Sequence, residues 1–459
     1  MRKLSKFSRF TIIIFGSISF LLGTAFATSP LQANLTQEML YPNYWLKQLN
    51  NPDKLIMTKS QIEKYNQAII KKLPETVYNL TDYPTSINQK TLLTWLSTPS
   101  FPKETAYLNG QAITTEYYQN LKKQLNLEAV PEKIEVKYAF TVRRTDIRTF
   151  PTGDRLFDTA DNREYDLFQE TAIEPAEPAL ILSQSFNKDW YYLQTYNYRG
   201  WVAANDLALC PNRATWLNYL NQSNFLIVTG YRLRLGTNPY TPELSNLSFQ
   251  MGAKLPLASN AEIPDSIGNQ IVDHNYVIKL PTRTVDGLVK FQLALLPMTA
   301  SVNLGYLPYT RGNILRQAFK WEGQRYGWGG MFDSVDCSGL INNIYRSFGI
   351  RLPRNTSELE KAAGKTIDLT KERQKGLRSL LPGASLQFPG HAMLYLGEIN
   401  GHFYVLHALG SCGNPAHKEN DGKLQRLPVN QVVITDLGLL RTNGKQLLES
   451  LTIGKQFEN

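Results

Sequence analysis

The chain has 459 residues, with 49 Lys and Arg against 39 Asp and Glu for a net charge of +10, and three cysteines. That length exceeds one ordinary core and predicts roughly two to four domains. So few cysteines exclude a disulfide framework, and the lack of a concentrated basic run excludes nucleic acid; the modest positive excess suits a polyanionic partner such as a cell wall.

Arg2, Lys3, Lys6 and Arg9 form a basic head, followed by an apolar run over residues 11–27 that closes on Ala25-Phe26-Ala27. This is the pattern of a secretory signal, expected over 1–27 and cleaved after Ala27. The competing reading, an uncleaved anchor, needs about 20 apolar residues. Loss of the signal removes four positive charges and leaves +6. The mature chain is therefore expected to be exported, to the periplasm or the cell surface, with no membrane insertion after cleavage.

Residues 28–131 read as an irregular, mostly helical segment, with helical stretches at 62–73 and 115–125 punctuated by Pro84, Pro99, Pro102 and Pro131. Residues 132–212 change to short strand-like runs at 179–182, 190–195 and 200–203, as a small barrel requires. Residues 213–308 repeat that texture at 225–229, 276–280 and 289–295, which predicts two all-β barrels in tandem. The last unit, 309–445, mixes helix and strand and predicts an α+β domain.

That unit contains Tyr326-Gly327-Trp328-Gly329-Gly330 and then Val335-Asp336-Cys337-Ser338-Gly339-Leu340. Apolar Leu340, Ile341, Ile344, Tyr345 and Phe348 follow at helical spacing, and Gly349 marks the stop. Asp336 or Ser334 can cap the helix start. Cys337 then sits in the first turn, where unpaired N–H groups favour thiolate and lower the thiol pKa from its reference of about 8.5. A buried core cysteine is the competing reading. The polar neighbours Asp336 and Ser338 argue for exposure, and the glycines for open space around the sulfur.

Two of the five histidines, His391 and His407, lie on apolar runs joined through Asn400-Gly401, a strong hairpin signal. A two-residue turn in uninterrupted register places them on opposite faces, because a one-residue slip flips a strand. A working pair needs a three-residue loop or a bulge, and one of the two is expected. His391 would take the thiol proton and return it to the leaving amine, with His407 orienting its far nitrogen. His402 sits at the turn, roughly 26 Å along the strand from His391, and is unsuitable. Cys412 with His407 and His417 matches no standard zinc spacing, so neither metal nor cofactor is expected.

These residues resemble the NlpC family, bacterial cell-wall peptidases with a papain-like core. The resemblance covers about 309–445 and rests on the two motifs above, Leu352-Pro353-Arg354, Pro389-Gly390-His391 and Val405-Leu406-His407-Ala408. The preceding regions are similar to tandem bacterial SH3-like domains, through Arg144-Thr145-Asp146-Ile147-Arg148 and Gly200-Trp201-Val202, and residues 28–131 to an N-terminal clip. The resemblance implies hydrolysis of the γ-D-glutamyl–diamino-acid bond of peptidoglycan stem peptides or muropeptides; separately, the chain is expected to be a monomer. It implies Cys337 as nucleophile, His391 as base, His407 as the third polar residue, Tyr326 beside the oxyanion, and Asp336 and Ser338 as substrate-binding. It further implies an acid and a tyrosine from an SH3-like domain that read a free L-Ala amine, for which Glu170 and Tyr198 are the candidates. Many relatives carry Gly-Asp before the histidine strand, where Pro382-Gly383 here continues as Ala384-Ser385, and Glu358 and Glu360 stand in the region after Arg354 where a Gln is usual. A thiol acyltransferase or amidase on the same core, and a non-catalytic wall-binding protein, are the alternative readings.

Overall fold

The computed structural model describes Leu31 and residues 34–458; the expected signal segment lies outside them. No helix among the described residues is long and apolar enough to cross a membrane.

The N-terminal segment has no core of its own and divides between two others. Its first part packs on the C-terminal unit. Trp45 lies 5.4 Å from Tyr404, ring to ring. Leu55–Met57 pairs with Tyr309–Thr310, and Tyr65 on the Lys59–Lys72 helix donates to the Ala363 carbonyl at 2.6 Å. Its second part, with helices Gln89–Ser97 and Thr115–Gln124, shares a core with Phe140, Leu180, Trp201 and Trp216 of the β region that follows.

That region forms a seven-stranded sheet, in spatial order Leu207–Leu209, Lys137–Thr141, Pro178–Gln184, Trp190–Gln194, Arg199–Ala203, Thr145–Arg148 and Gln169–Ile173. Residues 225–304 carry a second β unit around Leu226, Val228, Phe249, Leu255 and Ile278. Its longest pairing is the hairpin of Asn275–Arg283 with Val289–Pro297.

The C-terminal unit has a six-stranded antiparallel sheet, ordered Lys365–Asp368, Ile453–Gln456, Ser385–Phe388, His391–Ile399, His402–Lys418 and Leu424–Asp436. Ile453–Gln456 lies inside this sheet, so the unit runs past residue 445. The Cys337–Arg346 helix packs Leu340, Ile341 and Ile344 against Ala392, Leu394 and Leu406. The helix ends before Gly349, which takes a left-handed φ of 79°.

The glycine-rich stretch docks on the first β unit. Gly329 O accepts from Gln169 Nε2 at 2.8 Å and Gly330 O from Arg144 at 2.9 Å. Both glycines have positive φ, and a Cβ on Gly330 would lie 2.8 Å from the Ala172 Cβ. Open space around the sulfur is thus not the reason for these glycines. They let backbone lie flat against the Gln169–Ile173 strand. Asp333 fastens the end of the loop, 3.1 Å from both Arg144 and Arg232.

Gly330→Ala should therefore destabilise the protein by about 1–3 kcal/mol, from strain and overpacking together. Gly236→Ala, with nothing within 4 Å of the added carbon, should stay within about 0.5 kcal/mol of wild type. Thermal unfolding of the two variants side by side checks this.

Candidate active site

Cys337 opens its helix, and of the two possible caps Asp336 is the one used. Its Oδ1 accepts from Gly339 N–H at 2.8 Å, while the Ser334 hydroxyl donates to the Arg325 carbonyl. The other Asp336 oxygen accepts from Gly329 N–H at 3.0 Å and from Arg354 Nη2 at 2.6 Å. Arg354 also donates to Ser338 Oγ at 2.8 Å and, across the domain boundary, to Thr171 Oγ1 at 2.7 Å. Asp336 and Ser338 line the cleft, but both are buried and already bonded within the protein.

The thiol departs from expectation in two ways. Cys337 is 8% exposed and buried beside its polar neighbours. Burial, then the adjacent Asp336 charge, push its pKa up. The Ala392 N–H, the Thr356 hydroxyl at 3.9 Å and Arg354 pull the other way without prevailing. A helix N-terminus contributes about 0.3–1 kcal/mol, whereas desolvating an anion costs several, so the resting sulfur is a thiol.

Asn400 and Gly401, with φ of 51° and 83°, form the two-residue turn that pairs Ile399 with His402. Further along, Tyr395 pairs with Val405 and Gly397 with Tyr404, so Leu396 is an extra residue. This bulge shifts the register by one. His391 and His407 then share a face, and His391 Nε2 lies 2.8 Å from His407 Nδ1. His407 is fully buried in mid-strand rather than at a strand end, and its Nε2 lies 3.0 Å from Thr435 Oγ1. Burial first, then the charge of Arg441, depress His391 to about 4. Burial, then His391, hold His407 well below the usual histidine range. His402 pairs instead with Asp436 at 2.6 Å, beside Asn34.

A cavity of about 700 Å³ joins Cys337, His391, Tyr326, Asp336, Ser338, Glu170 and Tyr198. Tyr326 is buried with its hydroxyl pushed up by burial, then by Asp336 and Cys337. The Tyr198 hydroxyl donates to Glu170, which also accepts from Thr149 at 2.5 Å. Burial and the Glu170 charge keep Tyr198 protonated. The structure thus brings every candidate site residue except the inward-facing His407 to one cavity, and His407 to His391.

Sequence reasoning missed Asn355, Thr356, Thr435 and Arg441. The first two directly follow Arg354 in a quoted motif, which was a usable signal. Thr435 and Arg441 carry no local pattern. All three cysteines are free. Among the described residues no cluster of His, Cys, Asp and Glu is set to hold a metal.

Comparison with known proteins agrees with this layout. A model of the SH3 domain (SH3b1 type) matches residues 155–203, and one of the NlpC/P60 family matches 323–419. The chain therefore carries an SH3b domain followed by an NlpC/P60 domain. It is 34% identical over 86 residues to the bifunctional muramidase/DL-endopeptidase CwlT of Bacillus subtilis (strain 168), covering 18% of this chain and 25% of that protein. It is 32% identical over 101 residues to dipeptidyl-peptidase 6 of Lysinibacillus sphaericus, covering 22% and 33%. The matched parts thus span a quarter to a third of these relatives. A solved NlpC/P60 endopeptidase from Photobacterium damselae subsp. piscicida shares the fold, with a TM-score of 0.70, 17% identity and coverage of 90% of this chain and 96% of that one.

Because the fold holds both histidines neutral where the unfolded chain takes up protons near 6.5, stability should rise with pH through that range. Thermal unfolding between pH 7 and pH 5 should show a falling midpoint, with each of the two histidines contributing on the order of 2 kcal/mol. His391→Gln should flatten part of that slope.

Proposed function

We propose that this NlpC/P60 domain, docked on its SH3b domain, is a cysteine endopeptidase with a papain-like core that cuts the γ-D-glutamyl–diamino-acid bond of peptidoglycan stem peptides. The observation that carries the reading is a single cleft lined by Cys337, His391, Glu170 and Tyr198, with His407 bonded to His391 behind it.

The chemistry starts from a neutral pair. His391 Nε2 is occupied by His407, which leaves Nδ1 for the thiol. For Nδ1 to hold a free lone pair, Nε2–H must donate to His407 Nδ1, and His407 Nε2–H must then donate to Thr435 Oγ1. Thr435, whose hydroxyl can accept as well as donate, accommodates that tautomer of His407, and His407 orients the His391 ring. As Cys337 Sγ attacks the γ-carbonyl of D-Glu, its proton passes to His391 Nδ1. The carbonyl oxygen becomes an oxyanion beside the Cys337 N–H, which has no partner within its helix, and near the Tyr326 hydroxyl. The C–N bond breaks as His391 protonates the departing amine. Water, deprotonated by His391, then hydrolyses the thioester and restores the thiol.

Glu170 and Tyr198 suit the ammonium of an N-terminal L-Ala, since a cation entering a partly buried pocket needs a counter-charge. A site that reads this terminus prefers released peptides over glycan-linked stems.

Purified protein should release L-Ala-γ-D-Glu from L-Ala-γ-D-Glu-diaminopimelate, read by mass spectrometry. Cys337→Ala should lower kcat by at least about 10³-fold; a variant that still cleaves at near wild-type rate would sink the thiol mechanism. Glu170→Gln should raise KM for this peptide by about tenfold or more. Blocking the substrate amine by acetylation should cost wild type a similar factor and Glu170→Gln almost nothing.

A further inference from the structure

The cleft residues form a continuous track on both sides of the sulfur. On one side Thr356 Oγ1 lies 3.9 Å from Cys337 Sγ, Asn355 and Tyr198 line the same cavity, and the Tyr198 hydroxyl donates to Glu170. On the other side Gly390 and His391 line the cavity with Cys337. The Phe388 ring lies 5.4 Å from the His391 ring, and the Arg441 guanidinium sits 4.5 Å from the centroid of Phe388. The same cavity is lined from Glu170 through Cys337 to Arg441. It has a carboxylate at one end and a guanidinium at the other.

The charges lining this cavity are those of Glu170, Asp336, Arg354 and Arg441. Asp336 and Arg354 neutralise each other at 2.6 Å. Among the described residues Glu170 is engaged only by hydroxyls, those of Tyr198 and Thr149. Arg441 joins no ion pair among the described residues. Its one side-chain hydrogen bond there runs from Nη1 to Ser450 Oγ at 3.1 Å. Nε and Nη2 remain free to donate, and stacking on Phe388 holds the guanidinium plane in place. A half-buried, pre-oriented guanidinium without a counter-ion is a carboxylate receptor.

Its side of the cleft identifies the half of the substrate that carries the carboxylate. Glu170 holds the amino terminus of the acyl half, and His391 protonates the departing amine. Arg441 lies beyond His391, against the residue that leaves. We infer that Arg441 binds a free carboxylate on the amine half of the substrate, so that the site selects peptides whose residue after the scissile bond keeps that group unsubstituted. The inference rests on the peptidase reading above. The carboxylate is either the α-carboxylate of the leaving residue or the distal one of a diaminopimelate side chain; the chemistry of recognition is the same.

One consequence reaches into the reaction. The bare Arg441 charge disfavours imidazolium at His391. A bound carboxylate cancels it just when His391 must take the thiol proton. Loss of the substrate carboxylate should therefore lower kcat as well as raise KM, whereas a merely remote anchor would raise KM alone.

The test compares wild type, Arg441→Gln and Arg441→Lys on peptides differing in one group. These are L-Ala-γ-D-Glu-L-Lys as free acid and as carboxamide, and L-Ala-γ-D-Glu-diaminopimelate with its distal carboxylate free or amidated. Wild type should favour the free acid of at least one pair by about tenfold or more in kcat/KM. The pair that shows the effect identifies the carboxylate. Arg441→Gln should reduce the preference to within about twofold and move the acid limb of the pH–rate profile upward, while Arg441→Lys retains part of the preference. Equal rates on acid and amide in both pairs would overturn the inference, and that arm uses only the wild-type protein. So would an Arg441→Gln variant that melts like wild type yet keeps the discrimination. Failure of wild type to cut any of these peptides would overturn the peptidase reading and this inference with it, a result distinct from cleavage without preference.

Discussion

The site depends on one buried ion pair, Asp336 with Arg354. Both side chains are less than a tenth exposed, and a buried pair persists only when its remaining donors and acceptors are satisfied. Here they are. Asp336 accepts from the N–H groups of Gly339 and Gly329 as well as from Arg354, and Arg354 reaches Ser338 and Thr171 besides. The pair thus ties together the start of the cysteine helix, the glycine loop, the segment after Pro353 and a strand of the SH3b domain. Removing either partner leaves an uncompensated charge beside the sulfur.

This network also sets the electrostatics of the cleft. The Asp336 carboxylate caps the cysteine helix and at the same time disfavours a thiolate next to it. Arg441 does the corresponding thing to imidazolium at His391. Burial raises the thiol pKa and lowers that of the imidazole, favouring the uncharged form of each, and so the resting pair is neutral. A substrate that brings a carboxylate to Arg441 alters that balance at the moment of proton transfer.

Much of this was legible along the chain. The Cys337 helix, the histidine hairpin and the β texture of the middle regions follow from periodicity, glycines and Asn400-Gly401, all local signals. The bulge was legible only as a condition, because nothing in Tyr395-Leu396-Gly397 announces an unpaired residue. The thiol was misjudged for a related reason. Helix position can be read from sequence, but the depth of burial depends on what packs over the helix end.

The sequence by itself determined the chemical vocabulary: which cysteine, which two histidines, and glycines at positions no other residue fits. Tertiary structure alone decided how those groups act. It placed Leu396 as the extra residue that turns His407 toward His391, supplied Thr435 from a neighbouring strand, and brought Glu170 and Tyr198 from another domain to the cleft. It also left Arg441 without an ion-pair partner among the described residues. Each of these is a contact between segments far apart in the chain, and register, burial and counter-charge are set by the packing of those segments rather than by local pattern.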